Sequence, residues 1–438
     1  MFTCLLFVMT FSNALSQEYF QQEVNYKIHV SLNDRLHELS AFETLEYVNH
    51  SSDTLYFLYF HLWPNAYSNN STPLARQLFR FYGKQRLFND PGLRGFIDSL
   101  NFEVNDKKVY WELLPGQPDI CRIYLKAPLT PGNSIRITTP FRVKIPKGVT
   151  SRLGHIGESY QISQWYPKPA VYDRDGWHTM SYLDQGEFFS EFGHFDVSIT
   201  LPQNYIVGAS GTLQNDSEIE MLDKLSADTS RIKATSSVEN DFPASSKQWK
   251  TIRYTADNTH DFAWFADKRF HVKKGKLKLP HAGKEITTMV LFTNEQSDLW
   301  KDALSYVNEA IYWLSDKVGD YPYSNFTAVQ SALTSGDGME YPGITVIGLA
   351  DDAYSLDEVI THEICHNWFY GALGSDERRY PFLDESITSF YTDRYLGDKY
   401  PEKKLWEDYV KDRKLAKFIQ IDKMSIRRMH ELEWLIQA

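Results

Sequence analysis

The sequence has few cysteines, with Cys4, Cys121 and Cys365 as the three among 438 residues. Cys4 lies in an apolar leader, so removal of the leader would leave two thiols in different predicted domains. A small secreted protein stabilised by disulfides carries a larger, even set of cysteines. The sequence therefore argues against a disulfide framework.

Long apolar runs and an excess of positive charge are also missing. No stretch of 18 apolar residues occurs, which is the length that a membrane-spanning helix requires. Lysine and arginine number 46 against 57 acidic residues, for a net charge of −11. Because phosphate binding needs clustered basic residues, we expect no nucleic-acid partner. Because no apolar run is long enough to span a bilayer, we expect no stable membrane insertion. The oligomeric state stays open.

The N-terminus has features of a secretory leader. An apolar run from Phe2 to Phe11 precedes Ala14, Leu15 and Ser16, which supply small residues near a cleavage point. No lysine or arginine precedes the run, and a buried first strand is the alternative reading. We expect residues 1–16 to form a signal peptide and the protein to be exported to the periplasm or the extracellular space.

Residues 17–270 consist of short β-branched and aromatic runs between turn residues, and 15% of the whole chain is aromatic. Such runs predict strands. We therefore expect an N-terminal all-β domain built as an antiparallel sandwich or saddle. The runs are KIHVSL, FETLEYVN, DTLYFLYFHLW, IRITTPFRVKI, FDVSITL, YIVGASGTL and KTIRYTA.

The hydrophobic period changes near residue 270, and residues 271–438 are predicted as a second, mostly helical domain. The fold class is therefore an α+β multidomain protein. After residue 270, apolar side chains recur along one face of a predicted helix, and Gly319 is a plausible C-terminal end of that helix. The residues of this face are Leu299, Ala303, Val307, Ile311 and Leu314.

A metal-binding pattern stands in the second domain, in HEICH at 362–366. Ser355 and Glu358 form a capping-box pattern, which predicts a helix that begins at Ser355. Residues four apart lie on one helical face, so His362 and His366 fit two ligands of a tetrahedral zinc. Glu363 is close enough to reach a water at the metal without binding it. Two exposed helix histidines with an incidental glutamate are the alternative.

Glu385 is the candidate third ligand. It follows a loop and opens another apolar-periodic segment that ends near Gly397. Three protein ligands would leave one position for water, which is what a catalytic zinc site requires.

At this point the sequence resembles the gluzincin aminopeptidases of the M1 family, whose pattern is His-Glu-x-x-His, eighteen residues and then Glu. His366 and Glu385 have that spacing. The family signature Gly-x-Met-Glu-Asn has a counterpart in DGMEY at 337–341, and DYPY at 320–323 looks like the segment that precedes it. The resemblance implies a thermolysin-like, mostly helical catalytic domain.

The resemblance also implies one Zn²⁺ ion, bound by His362, His366 and Glu385, with Glu363 as the general base. Glu340 would hold the free α-amine of a peptide substrate, and the activity would be removal of N-terminal residues.

Further substrate contacts follow from the same resemblance. Gly338 and Met339 would line the substrate site beside Glu340. Gln164 would line the cleft from the N-terminal domain, although an ordinary strand glutamine is an equal alternative. The expected partners are peptides with a free N-terminus.

The sequence departs from the family pattern in three ways. Asp337 stands at the first Gly of the signature, and Tyr341 stands at its Asn. The transition-state tyrosine of the family is expected beyond Ala438, which leads us to expect a truncated chain. A non-catalytic, zinc-containing peptide-binding protein and a zinc endopeptidase therefore remain alternatives to the aminopeptidase.

Overall fold

The computed structural model describes residues 19–84, 86–148, 150–233, 241–331 and 338–403. The predicted signal peptide at 1–16, the segment 404–438 and Asp337 lie outside the described residues.

The described residues up to Asp267 form nineteen strands. They are β1 (Glu23–Asn33), β2 (Glu38–Val48), β3 (Leu55–His61), β4 (Phe96–Asp98), β5 (Glu103–Val104), β6 (Lys107–Lys108), β7 (Trp111–Leu114), β8 (Gln117–Leu129), β9 (Ser134–Lys144), β10 (Gly154–Ile156), β11 (Ser159–Ile162), β12 (Lys168–Pro169), β13 (Tyr172–Asp173), β14 (Gly176–Trp177), β15 (Gly193–Pro202), β16 (Ile206–Ala209), β17 (Thr212–Leu213), β18 (Trp249–Thr259) and β19 (Trp264–Asp267).

These strands form three larger sheets and one hairpin. The largest sheet has nine strands in the order β17-β18-β15-β1-β2-β9-β5-β6, and β4 also pairs with β9. The two four-stranded sheets have the orders β10-β11-β19-β16 and β12-β3-β8-β7, and β13 pairs with β14. The pairing is antiparallel except between β1 and β15, which run parallel with Tyr26 opposite Phe195. The expectation of a large β-sheet N-terminal region is confirmed, with one parallel pair.

Period-2 alternation explains why β1 forms a strand with one buried face. Every second side chain of β1 is buried, and the residues that alternate with them reach the surface to varying degrees. The buried ones are Val24, Tyr26, Ile28, Val30 and Leu32. Successive side chains of a strand point to opposite faces of a sheet, so this alternation places one set in the core. Trp165 and Trp264 are fully buried in the same core and supply large apolar surfaces.

The described residues of the N-terminal part also contain two α-helices, so the prediction of an all-β region was wrong in that respect. They are α1 (Pro73–Tyr82) and α2 (Asp216–Ala227). The side chain of Thr72 accepts a hydrogen bond from the amide of Ala75 and caps α1, and Gly83 ends the helix at a φ of 64°. These are ordinary helix start and stop signals, and the strand-rich surroundings concealed them.

The second part of the chain contains a five-stranded sheet as well as helices. Its strands are β20 (His271–Lys278), β21 (Glu285–Phe292), β22 (Asn325–Gln330), β23 (Gly338–Tyr341) and β24 (Ile344–Ile347). Its helices are α3 (Ser297–Trp300), α4 (Ala303–Lys317), α5 (Ala353–His366) and α6 (Glu385–Lys399). The sheet order is β20-β21-β22-β24-β23, with β23 antiparallel to β24 at the edge. The domain boundary near residue 270 stays a prediction.

Helix α4 buries the face that the sequence pattern predicts. Ala303, Val307, Ile311 and Leu314 are all fully buried. Leu299 belongs instead to the short helix α3 and is only partly buried. Among the described residues, no helix is long and apolar enough to cross a membrane.

Candidate metal centre

The helix that carries HEICH begins two residues before the predicted start. Asp352 is the N-cap of α5, and its side chain accepts a hydrogen bond of 2.8 Å from the amide of Ser355. The interaction is reciprocal, because the side chain of Ser355 accepts a hydrogen bond of 3.0 Å from the amide of Asp352. The capping box is therefore Asp352 with Ser355, so the prediction of Ser355 as the first residue was wrong.

The two histidines of the motif project from one face of α5. The centroids of the His362 and His366 rings lie 4.8 Å apart. The α-helix ends at His366 and continues as a π-helix over Asn367–Ala372. π-Helical segments are rare and often occur at functional sites.

Glu385 completes a three-residue cluster as the first residue of α6. Its Oε2 lies 3.4 Å from Nε2 of His362 and 3.9 Å from Nε2 of His366. Ligands at about 2.0–2.2 Å from a tetrahedral zinc lie roughly 3.3–3.6 Å from one another. The distance to His362 fits this range, and the distance to His366 is a few tenths of an ångström longer. One donor atom from each residue lies within 4.8 Å of the other two. Two imidazole nitrogens and one carboxylate are a donor set that suits zinc.

Asp384 orients one of these histidines. Its Oδ1 lies 2.5 Å from Nδ1 of His366, and both side chains are buried. A proton held on Nδ1 by the carboxylate leaves Nε2 free to face the cluster. Burial lowers the pKa of His366, but the hydrogen bond and charge of Asp384 outweigh it and raise the pKa to about 9.

Glu363 lies beside the cluster on the adjoining face of α5. Its side chain is buried, and its Oε2 has no hydrogen-bond partner. Burial raises the pKa of this carboxyl well above its usual range, while the charge of His366 acts in the opposite direction. A raised pKa suits a group that takes up and releases a proton.

Gly338 makes room for the carboxyl group of Glu363. A Cβ atom at position 338 would collide with the side-chain carbon and oxygen atoms of Glu363. A side chain at position 338 would therefore displace the carboxyl group of Glu363, because strand β23 passes directly over it. This contact joins the predicted signature strand to the predicted metal helix.

Glu340 approaches the cluster from the same edge strand. A carboxylate oxygen of Glu340 lies within 4.8 Å of donor atoms of Glu363 and His366. Burial, followed by the charge of nearby Glu187, raises the pKa of Glu340 well above its usual range. The sulfur of neighbouring Met339 accepts a hydrogen bond of 3.1 Å from Nε of Arg152.

An open cleft of about 760 Å³ connects these groups, which is within the usual size range for ligand sites. The residues of the prediction that line it are Gly338, Met339, Glu340, His362, Glu363, His366 and Glu385. Gln164 is not among the described residues that line this cleft. Its Nε2 donates to Oδ2 of Asp261 at 3.1 Å, so its substrate role stays a prediction. Gln161, three residues earlier, lines the cleft instead.

The sequence reasoning missed four residues around the site. Asp384 adjoins a predicted ligand, and that adjacency was the available signal. Arg152, Glu187 and Glu377 come from segments with no motif. One carboxylate oxygen each of Glu187, Glu340 and Glu377 lies within 4.8 Å of the other two.

Comparison with known proteins points to one group of enzymes. No protein-family profile matches the sequence. Aminopeptidase 2 of Candida albicans is 26% identical over 125 residues, which is 26% of this chain and 13% of that protein. The match therefore spans well under two thirds of that relative.

Solved structures give a broader match. A two-domain M1 zinc metallopeptidase variant bound to L-arginine superposes with a TM-score of 0.54 at 13% identity, covering 87% of this chain and 72% of the other. The M1 zinc metallopeptidase of Deinococcus radiodurans gives a TM-score of 0.53 at 13% identity, with coverage of 86% and 71%. A variant of that enzyme bound to a Tyr-Ser-Ala substrate gives 0.53 at 13% identity, with coverage of 87% and 72%.

Structural similarity to these enzymes at 13% sequence identity establishes the fold of this chain. The β-rich N-terminal region and the following helical segments match the two-domain arrangement of those structures. The resemblance to the M1 family is confirmed at this level: the chain has the fold of the two-domain M1 zinc metallopeptidases.

Proposed function

We propose that the protein is a zinc-dependent aminopeptidase that hydrolyses N-terminal residues from peptides. The observation that carries the proposal is the position of Glu340, within 4.8 Å of donor atoms of Glu363 and His366. A buried carboxylate there gives a substrate ammonium group a fixed partner beside the metal cluster. Holding that ammonium group would bring the first peptide bond to the cluster.

His362, His366 and Glu385 would hold one Zn²⁺ ion. When bound, zinc would polarise the scissile carbonyl and lower the pKa of a water molecule at the site. Glu363 would take the proton from that water and deliver it to the leaving amine. Asp384 would keep the proton of His366 on Nδ1, so that Nε2 stays available as a donor.

The edge strand β23 would align the peptide. It pairs with β24 on one side, and among the described residues it is the last strand of its sheet. An extended peptide can add to such an edge through backbone hydrogen bonds. Alignment along β23 would carry the peptide N-terminus past Gly338 and Met339 to Glu340.

Two finer statements belong to the proposal. The thermolysin-like character of the catalytic domain is supported by an edge strand packed against the helix with the metal-binding motif. Export to the periplasm or the extracellular space is supported by the leader-like N-terminus.

The test is a paired digestion. Zinc-loaded protein is incubated with one peptide in free and N-acetylated forms, and the products are measured by mass spectrometry. We expect loss of the first residue from the free form alone. Internal cleavage of both forms at equal rates would indicate an endopeptidase, and binding without product would indicate a peptide-binding protein. Either result would contradict the proposal.

A further inference from the structure

Glu377 is a buried carboxyl group for which neither the motif nor the fold supplies a role. Its side chain is 1% exposed, and neither Oε1 nor Oε2 has a hydrogen-bond partner. Burial of a polar group without a partner is unfavourable, and burial of a charge more so. Such a group calls for an explanation, and a cationic partner that binds beside it is one.

The surroundings of Glu377 identify where that partner would bind. One of its carboxylate oxygens lies within 4.8 Å of oxygens of Glu340 and Glu187. Glu187 already has a cation, because Nη2 of Arg152 lies 2.6 Å from its Oε1. The carboxyl groups of Glu340 and Glu377 therefore lie together at the point where the substrate ammonium group is proposed to bind. Burial raises the pKa of both groups, and a bound ammonium group would favour their charged forms.

The loop that carries Glu377 is fixed against the N-terminal part of the chain. The guanidinium group of Arg378 donates to the backbone carbonyls of Glu187, Ser181 and Gly186 at 3.0, 3.3 and 3.3 Å. These bonds anchor the residue next to Glu377. The carboxyl group is therefore held in place before any ligand binds, which favours recognition.

We propose that Glu377 is a second anionic group of the amine site, which strengthens binding of the substrate ammonium group at Glu340. The inference rests on the proposed function and adds to it a residue that lies outside the recognised motifs. The oxygens of Glu377 are shielded from solvent, so the group acts through its charge, as a positioning residue, while Glu340 makes the contact. Charges about 5 Å apart interact strongly where water is excluded.

The experiment measures peptide binding to the full chain, loaded with zinc and carrying Glu363→Gln to prevent turnover. The probe is the tripeptide Leu-Ala-Ala, free and N-acetylated, followed by calorimetry. Glu377→Gln is added to this background and compared with Asp376→Asn. Asp376 is a matched control because it lies in the same loop but pairs with His178, at 3.3 Å.

We expect Glu377→Gln to weaken binding of the free tripeptide by roughly 10- to 100-fold, the usual effect of losing an interaction with a charged group. Binding of the acetylated form should not change, and Asp376→Asn should preserve the ratio between the two forms. The Tm of the Glu377→Gln protein should equal or exceed that of its background, because a buried carboxyl group without a hydrogen-bond partner is removed.

Three results would overturn the inference. The first is an unchanged preference for the free tripeptide. The second is an equal loss for both forms together with a lower Tm, which would indicate a structural role. The third is binding of Ca²⁺ or Mg²⁺ that Glu377→Gln abolishes, which would make the three carboxylates a cation site. If the Glu363→Gln background itself does not prefer the free form, the proposed function fails, and this inference fails with it.

Discussion

Nδ1 of His366 lies 2.5 Å from Oδ1 of Asp384, with both side chains buried. Asp384 immediately precedes the candidate ligand Glu385 at the start of α6, so two consecutive residues contact the metal cluster. This pair contributes a donor atom directly and fixes a second donor through a hydrogen bond. This arrangement couples the two metal-site helices.

Asp384→Asn is therefore expected to weaken zinc binding by about 10- to 100-fold, the usual effect of losing such a partner. Zinc affinity is measured by competition with a chromogenic chelator. Asp398→Asn is the control, since Asp398 lies on the same helix and accepts a hydrogen bond from Trp313. Unchanged affinity in Asp384→Asn would show that the hydrogen bond does not orient His366.

Gly338→Ala is expected to reduce turnover while zinc content stays at the wild-type level. The added methyl group would displace Glu363, which is proposed to move the proton, because its three nearest contacts are all with the Glu363 side chain. Gly275→Ala is the control, because a Cβ there meets its neighbours at 3.4 Å or more. Normal turnover in Gly338→Ala would mean that the position of Glu363 does not limit the reaction.

Glu43 provides a test of pH dependence away from the site. It is 1% exposed in β2, both carboxylate oxygens are unpartnered, and burial raises its pKa well above the ordinary value of 4.5. The folded state therefore binds more protons than the unfolded state above about pH 4.5, and the free energy of unfolding falls as the pH rises.

Glu43→Gln should accordingly gain stability over wild type as the pH rises from 4 to 8, by about 1–3 kcal/mol. Urea denaturation at several pH values measures the difference. Glu46→Gln, at an exposed position on the same strand, should show no comparable trend. A difference that stays constant with pH would contradict the assignment of Glu43 as a buried, unpaired carboxyl group.

Lys168 and Asp261 form a buried ion pair in the N-terminal region. Nζ of Lys168 lies 2.8 Å from Oδ1 of Asp261, and both side chains are at most 2% exposed. Lys168→Met should lower the free energy of unfolding by about 3–5 kcal/mol, because it leaves a buried carboxylate without its cation. Adding Asp261→Leu should recover part of that loss. A double variant less stable than Lys168→Met would contradict this reading.

The sequence predicted those features that depend on local spacing. The His362–His366 pair follows from the helical repeat, and the main strands follow from alternation of buried and exposed residues. Helices α1 and α2 were missed because each is short and lies between strands. The start of α5 was misplaced because both Asp352-Ser355 and Ser355-Glu358 have capping spacing, and only backbone geometry distinguishes them.

The remaining parts of the site depend on tertiary packing. Glu187 and Glu377 are 190 residues apart and meet because Arg378 binds the backbone of the loop that carries Glu187. No spacing rule links such residues. Gln164 was predicted in the cleft from resemblance alone, and its amide instead pairs with Asp261.

The most direct test of the account measures zinc content and peptide turnover in Glu363→Gln. We expect one equivalent of zinc, as in the wild type, and a fall in turnover of at least 100-fold, which is the usual contribution of a general base. Retained turnover would contradict the role of Glu363. Loss of zinc would contradict the assignment of the metal to His362, His366 and Glu385.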